Sequence, residues 1–354
     1  MNKTDLLSLY PDELKSLILS IGEPAYRAKQ IFTQIHRGIS PEDMTNLSKA
    51  TKQKLAEISF FHLPKIRVKL VSAIDGTVKY LLELSDKNTV ECVVMKYKHG
   101  NTICVSSQVG CRMGCAFCAS TIGGKIRDLN ASEILGQVLT AQIDIGERIS
   151  NIVMMGIGEP LDNYDNVIRF LKLVGDPDGM NIGYRHISLS TCGLVERIDA
   201  LAKEDLPITL SISLHASNDE TRSSIMPINK KWNISALLDA CLRYYNTTKR
   251  RISFEYTLIA KKNDSERSAI ELAELLNRSL RKKKQGEPFP IHVNLIPVNP
   301  VTETEFSPSD KLAVKKFAEI LESKGIRATV RRRLGADINA SCGQLRRGQQ
   351  SKSE

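Results

Sequence analysis

Several absences frame this 354-residue chain. No apolar run reaches the roughly 20 residues that a membrane-spanning helix needs, and Met1 to Tyr10 lacks the basic-then-apolar pattern of a secretory leader. A cytoplasmic protein with no membrane partner is the expectation. Internal repeats are missing, and the one low-complexity stretch is the charged loop Arg281-Lys282-Lys283-Lys284. In a reducing compartment the eight cysteines point to metal binding or catalysis, not to structural bridges.

A further absence concerns three of those cysteines. Cys111, Cys115 and Cys118 have the spacing C-x3-C-x2-C directly after an apolar stretch, Thr102 to Val109. Zinc would want a fourth Cys or His at short spacing, and none lies close by, since His99 precedes the strand. Three thiolates suit soft metal, and a four-iron cluster held by three protein sulfurs keeps one iron open to a non-protein ligand. Electron-carrying clusters normally take four protein ligands. The spacing resembles the signature of the radical S-adenosylmethionine (SAM) superfamily, in which the amino and carboxylate groups of SAM occupy the open iron.

The net charge of +10 is uneven. Leu321 to Glu354 holds eight Lys and Arg against three acids, about half of the excess. A basic end suits a polyanion such as RNA, although charge alone fits a soluble basic surface equally well.

Along the chain, Thr4 to about Leu63 reads as a small helical module, with start and stop signals at Asp5, Pro11-Asp12, Glu23-Pro24 and Ser40-Pro41. Arg27, Lys29 and Arg37 give the helix Ala25 to Arg37 a basic face for a nucleic-acid backbone, or simply a solvated surface. Strands are predicted at Lys79 to Leu84, Glu91 to Tyr97 and Thr102 to Val109. Helices and near-continuous apolar strands then alternate to Arg331, which implies α/β architecture with a parallel sheet buried on both faces. About six β/α units follow one another, fewer than a closed eightfold barrel needs. We therefore expect a partial (β/α)6 TIM-like barrel. The expected division is an accessory domain at 1–65, a linker and β extension at 66–98, and the barrel with its basic tail at 99–354.

In such barrels chemistry collects where strands end. The second barrel strand runs into Met155-Gly156-Ile157-Gly158-Glu159-Pro160, where glycines let a ligand approach and a carboxylate could meet an ammonium. The third ends at Ser190-Thr191-Cys192-Gly193 and the fourth at Ser213-Leu214-His215-Ala216. A lone His there is as readily a loop residue as a ligand contact. The sixth supplies Asn294 and Asn299. Two other cysteines stand out: Cys104, seven residues before Cys111, and Cys342, in a Gly-bounded polar loop after the last strand.

Val105-Ser106-Ser107-Gln108-Val109-Gly110-Cys111, Gly158-Glu159-Pro160-Leu161, Ser213-Leu214-His215-Ala216, Met226-Pro227-Ile228-Asn229-Lys230-Lys231 and Ala340-Ser341-Cys342-Gly343-Gln344-Leu345 together resemble the RlmN/Cfr family of radical-SAM RNA methyltransferases. The likeness spans nearly the whole chain, and its terminal Cys-Gly-Gln-Leu element is not a general radical-SAM feature. It implies a 4Fe–4S cluster on Cys111, Cys115 and Cys118, with SAM contacts at Gly158, Glu159, Ser190, Ser213, Leu214, His215 and Asn299. It also implies two SAM molecules per turnover. One methylates Cys342; the other yields a radical that takes a hydrogen from that methyl, and the resulting carbon radical adds to an adenine ring. Cys104 then attacks the thioether sulfur, leaving a transient Cys104–Cys342 disulfide, and Glu91, thirteen residues before Cys104, accepts a proton. Implied partners are 23S rRNA at its peptidyl-transferase-centre adenosine, some tRNAs, and an electron donor such as flavodoxin or ferredoxin. Pro160 and Ser213 to Ala216 look more like the members that methylate adenine C2; methylation at C8, the Cfr type, is the alternative. Cys192, where the family often has serine, is a departure.

Overall fold

The computed structural model describes residues 3–281, 289–298 and 306–340. The chain begins with β1 (Thr4–Asp5), then α1 (Pro11–Ser20), α2 (Tyr26–Ile35), α3 (Lys49–Ile58) and β2 (Ser59–Phe60). β1 and β2 pair in parallel, so the ends of this module meet. Its helices bury one apolar stripe each, as the spacing predicts: Leu14 and Ile18 on α1, and Ala28, Ile31, Phe32 and Ile35 on α2.

Next come β3 (Lys65–Val71), β4 (Val78–Glu83), β5 (Thr89–Tyr97), β6 (Gly100–Cys104), β7 (Gln108–Gly110) and β8 (Lys125–Asp128). Alternation follows through α4 (Ala131–Ile145), β9 (Ile149–Met154), α5 (Tyr164–Gly175), β10 (Ile187–Thr191), α6 (Val195–Leu201) and β11 (Thr209–Ser213). The described chain ends through α7 (Asp219–Ile225), α8 (Ile234–Thr248), β12 (Ile252–Leu258), α9 (Glu266–Leu276), β13 (Ile291–Pro297), α10 (Lys311–Ser323) and β14 (Arg327–Val330).

Ten strands form one sheet in the order β14-β13-β12-β11-β10-β9-β6-β5-β4-β3. The seven from β14 to β6 are parallel, linked by six crossovers, and β5, β4 and β3 continue the sheet antiparallel. This is the expected α/β partial barrel. The segment 66–98 is less a linker than three strands of the main sheet. Thr102 to Val109 is not one strand either. After Cys104 the buried Gln137 amide accepts from the Ser106 N–H and donates to the Ser106 carbonyl, both at 2.9 Å, in place of strand partners. The chain then turns out to pair β7 with β8 in a separate ribbon beside the cysteine loop. α7 was not predicted from the sequence; at seven residues it is too short to show a period.

The helical module docks on α4 and α5. Arg169 donates to the Ser8 carbonyl and pairs with Glu13, while Lys29 pairs with Asp178 at 2.9 Å. Lys29, one of the three cations assigned to a basic RNA face, is thus used in docking. At the other end of the molecule, the residues after β14 return to the β3–β4 turn: Gly335 N–H donates to Asp75 at 2.8 Å, and Asp337 accepts from Ser72 and Ala73. These bonds join the two ends of the sheet.

Candidate active site

The cysteine loop is fixed by charge on one flank. Arg112 and Lys125 both pair with the buried Asp162, which also accepts from Gln108 at 2.8 Å. Phe117, between the second and third cysteines, meets His215 edge to face at 5.0 Å between ring centroids. That contact ties the loop to the end of β11. Cys111, Cys115 and Cys118 are electrostatic neighbours, and burial pushes the Cys111 thiol up to about 12 and raises that of Cys115. Such thiols need a bound cation to shed their protons. Three neighbouring cysteines with no fourth Cys or His at short spacing fit a multi-iron cluster, in which each thiolate takes its own iron.

The strand-end residues gather beside that loop. Glu159 is buried, and its carboxylate accepts from the backbone N–H of Cys192 at 2.8 Å and of Leu161 at 3.1 Å. Burial raises its carboxyl, against those bonds. Gly156 and Gly158 are required, but by the protein itself. An added Cβ would meet the Val105 carbonyl oxygen at 2.5 Å in the first case, and Gln108 in the second, where φ is +107°. The segment leading to the cysteine loop packs directly against both glycines. Ser190 and Ser213 face each other across β10 and β11 with hydroxyls 3.5 Å apart. His215 is buried at φ +56°, and Leu214 and His215 both donate backbone N–H to the Glu255 carbonyl. Its Nδ1 accepts from Thr257 N–H at 2.9 Å, and burial, helped by Arg222, lowers the imidazole to about 3. His215 is therefore neutral, with Nε2 carrying the proton.

Arg222 was missed by sequence reasoning. Only 1 % exposed, it donates to the carbonyls of Leu214, Ser213 and Cys192 and to Asn229 Oδ1, stitching together the ends of β10 and β11 under the loop. An arginine at the centre of a short polar helix carries no sequence signal of burial.

Cys104 and Glu91 lie on adjacent strands β6 and β5 and line one cavity of about 330 Å³ with Phe117, Met155, Arg331 and Ala340. Burial raises the Cys104 thiol, while Arg331 and Lys79 pull it back. Glu91 is buried and pairs with the equally buried Lys79 at 3.1 Å. Arg331, Arg332 and Arg333 also line this cavity, and Arg332 and Arg333 are exposed at its rim. Asn299 and Cys342 lie outside the described residues.

Comparison with known proteins decides the assignment. A model of the radical SAM superfamily matches residues 105–273, and one of the ribosomal RNA large subunit methyltransferase N-terminal domain matches 4–60. A protein of Alkaliphilus metalliredigens, named "Probable dual-specificity RNA methyltransferase RlmN", is 54% identical over 98% of this chain and 96% of its own length. The chain belongs to the RlmN family of radical-SAM RNA methyltransferases. A relative of the same name from Clostridium novyi is 52% identical over 97% of the chain and 98% of its own length. The solved structure of a radical SAM methyltransferase from Sphaerobacter thermophilus superposes with a TM-score of 0.89 at 40% identity, covering 96% of this chain and 98% of that one. As members of this family do, the enzyme uses a 4Fe–4S cluster and SAM, and its substrate is RNA. No helix among the described residues is long and apolar enough to cross a membrane.

Proposed function

We propose that this enzyme methylates C2 of an adenine in 23S rRNA, at the peptidyl-transferase centre, and in some tRNAs, in the cytoplasm, with a flavodoxin or ferredoxin as electron donor. Cys342 carries the methyl carbon, Cys104 resolves the protein–RNA adduct, and Glu91 accepts the C2 proton. Adenine C2 is electron-poor and no nucleophile, so polar methyl transfer to it is closed. When bound, the cluster on Cys111, Cys115 and Cys118 and SAM supply the radical that removes a hydrogen atom from the methyl on Cys342.

The remaining work belongs to the chain. Glu159, Ser190, Ser213, the backbone of Gly158 and Leu214, and the neutral His215 surround the SAM position beside the cysteine loop, with Asn299 assigned by resemblance. The one observation that carries the reading is the cavity shared by Cys104, Glu91 and Ala340. Ala340 precedes Cys342 by two residues, and two residues of chain reach at most about 7 Å. A carrier attached so close to this cavity lining has only that short length of chain to span to its resolving partner and to a base entering the barrel mouth. Arg27 and Arg37 on the helical module, with the arginines after β14, supply cations for RNA phosphates.

Mass spectrometry of the purified chain tests this directly: a methyl group on Cys342, absent from Cys342→Ala, is the expected result. Hydrolysed RNA should yield 2-methyladenosine. Recovery of 8-methyladenosine would move the enzyme to the other branch of the family, and an active Cys342→Ala variant would sink the carrier role.

A further inference from the structure

Lys79 is a lysine where the sheet interior should hold an apolar side chain. It is 1 % exposed and lies in the middle of the sheet's antiparallel extension, on β4. Burial of an ammonium is costly unless its protons are met. Its Nζ lies 3.1 Å from Glu91 Oε2 and donates to the Asn339 carbonyl at 2.9 Å. One cation therefore bridges the proposed proton acceptor and the backbone three residues before Cys342.

The same stretch of tail is held from the neighbouring turn. Asp75 accepts from Gly335 N–H at 2.8 Å, and Asp337 takes the Ser72 hydroxyl at 2.7 Å and the Ala73 N–H at 2.8 Å. The tail is shaped to meet these groups. Gly335 and Asn339 both have positive φ, and a Cβ on Gly335 would come within 2.5 Å of Ala340 Cβ and 3.1 Å of Thr77 Cγ2. The Ala340 N–H closes the turn on the Gly335 carbonyl at 3.0 Å.

Resting on the carrier role read above for Cys342, we propose that Lys79 and the Ser72–Thr77 turn form a clamp that holds residues 335–340, the stretch leading to the carrier, against the reaction cavity. Lys79 is a positioning residue, acting through Asn339 and Glu91. The clamp couples the two halves of the chemistry: the bond that seats the carrier comes from the side chain that orients the proton acceptor. Loosening it lets the radical form without a well-placed methyl to quench it. A merely structural Lys79 would instead lower stability and leave coupling untouched.

The test compares Lys79→Met, Lys79→Arg and Asp337→Ala in reconstituted full-length enzyme with rRNA substrate. It reads methylated adenine, 5′-deoxyadenosine formed per methyl transferred, and KM for RNA. Lys79→Met should lower kcat by about 100-fold, the size of effect an ångström-scale misplacement produces. The 5′-deoxyadenosine ratio should rise and KM should hold, while Lys79→Arg recovers part of the coupling. Asp337→Ala removes an exposed carboxylate that meets the Ser72–Ala73 turn, so it decides the matter if Lys79→Met fails to fold. It should shift the same ratio in the same direction, by less. Wild-type rate and ratio in Asp337→Ala and in folded Lys79→Met would overturn the clamp. If those variants are normal while Cys342→Ala is dead, the clamp alone fails; if Cys342→Ala is active, the carrier reading beneath it fails.

Discussion

The two sides of the barrel mouth are built differently. On the cluster side, bonds are buried and mutual: Glu159 on two backbone amides, Arg222 on four carbonyls, His215 on Thr257, and Asp162 on the flanks of the cysteine loop. On the tail side, residues 335–340 reach the sheet through a few bonds, and Asp337 at their centre is exposed. The difference matches two duties. A cofactor that must be aimed at one bond is best held by a site that does not move. The thiol proposed to take a methyl, deliver it and then be reduced would need a seat it can leave, and low-stability segments provide such seats.

Breaking the first side should have the largest effect. Cys111→Ser removes one of three proposed iron ligands and should abolish methylation and the visible cluster absorbance together, while proteolysis of the tail stays as in the wild type. Retained absorbance with full activity would contradict the ligand assignment. Next in size, Arg222→Met strands several carbonyl acceptors and Asn229 Oδ1 in the interior. A loss of about 3–4 kcal/mol is expected from that many unmet acceptors, read by chemical denaturation of reconstituted protein. A loss under about 1 kcal/mol, the range of ordinary surface substitutions, would mean that the carbonyls find other donors.

On the tail side the same kind of change should stay local. Gly335→Ala places a Cβ against Ala340 at a φ of +60°, a strain of about 1–2 kcal/mol. Amide exchange in 335–340 should then accelerate roughly tenfold with no shift in the melting temperature of the barrel. A fall in melting temperature matching Arg222→Met would erase the contrast between the two sides.

How much of this was legible beforehand follows the same divide. The cysteine spacing and the β/α alternation are local patterns. The break after Cys104 was hidden, because it depends on Gln137 arriving from another helix to replace strand partners. Gly156 and Gly158 were legible as necessary, but not the packing that crowds them, since it comes from residues 50 to 51 positions earlier in the chain. Lys79 and Arg222 carry no mark of burial in the sequence, and only their long-range acceptors make burial tolerable. Side chains satisfied by distant backbone leave little trace in sequence.

Acid should separate the two sides by the smallest margin, and by sign. His215 is a base lowered to about 3, below its ordinary 6.5, so its contribution is complete above 6.5. As pH falls from 6.5 towards 3 the unfolded chain takes the proton first and that contribution is lost, at up to about 1.4 kcal/mol per pH unit. Asp75 behaves oppositely. Burial draws its carboxyl up, but bonds from Gly335 and Thr77 outweigh that and hold it at about 2, below its ordinary 3.8. Its contribution is intact above 3.8 and is lost only as pH falls from there towards 2. Between pH 6.5 and 5 the cluster side should therefore cost the fold stability while the tail clamp is unaffected. Glu159 and Glu255, whose carboxyls burial raises, pull the raw slope the other way. The prediction thus rests on the difference between wild type and His215→Gln in denaturation across that range, set beside amide exchange of 335–340 corrected for intrinsic pH dependence. Equal slopes in the two proteins, or a tail that loosens by pH 5, would show that titration does not distinguish the cofactor's side from the carrier's.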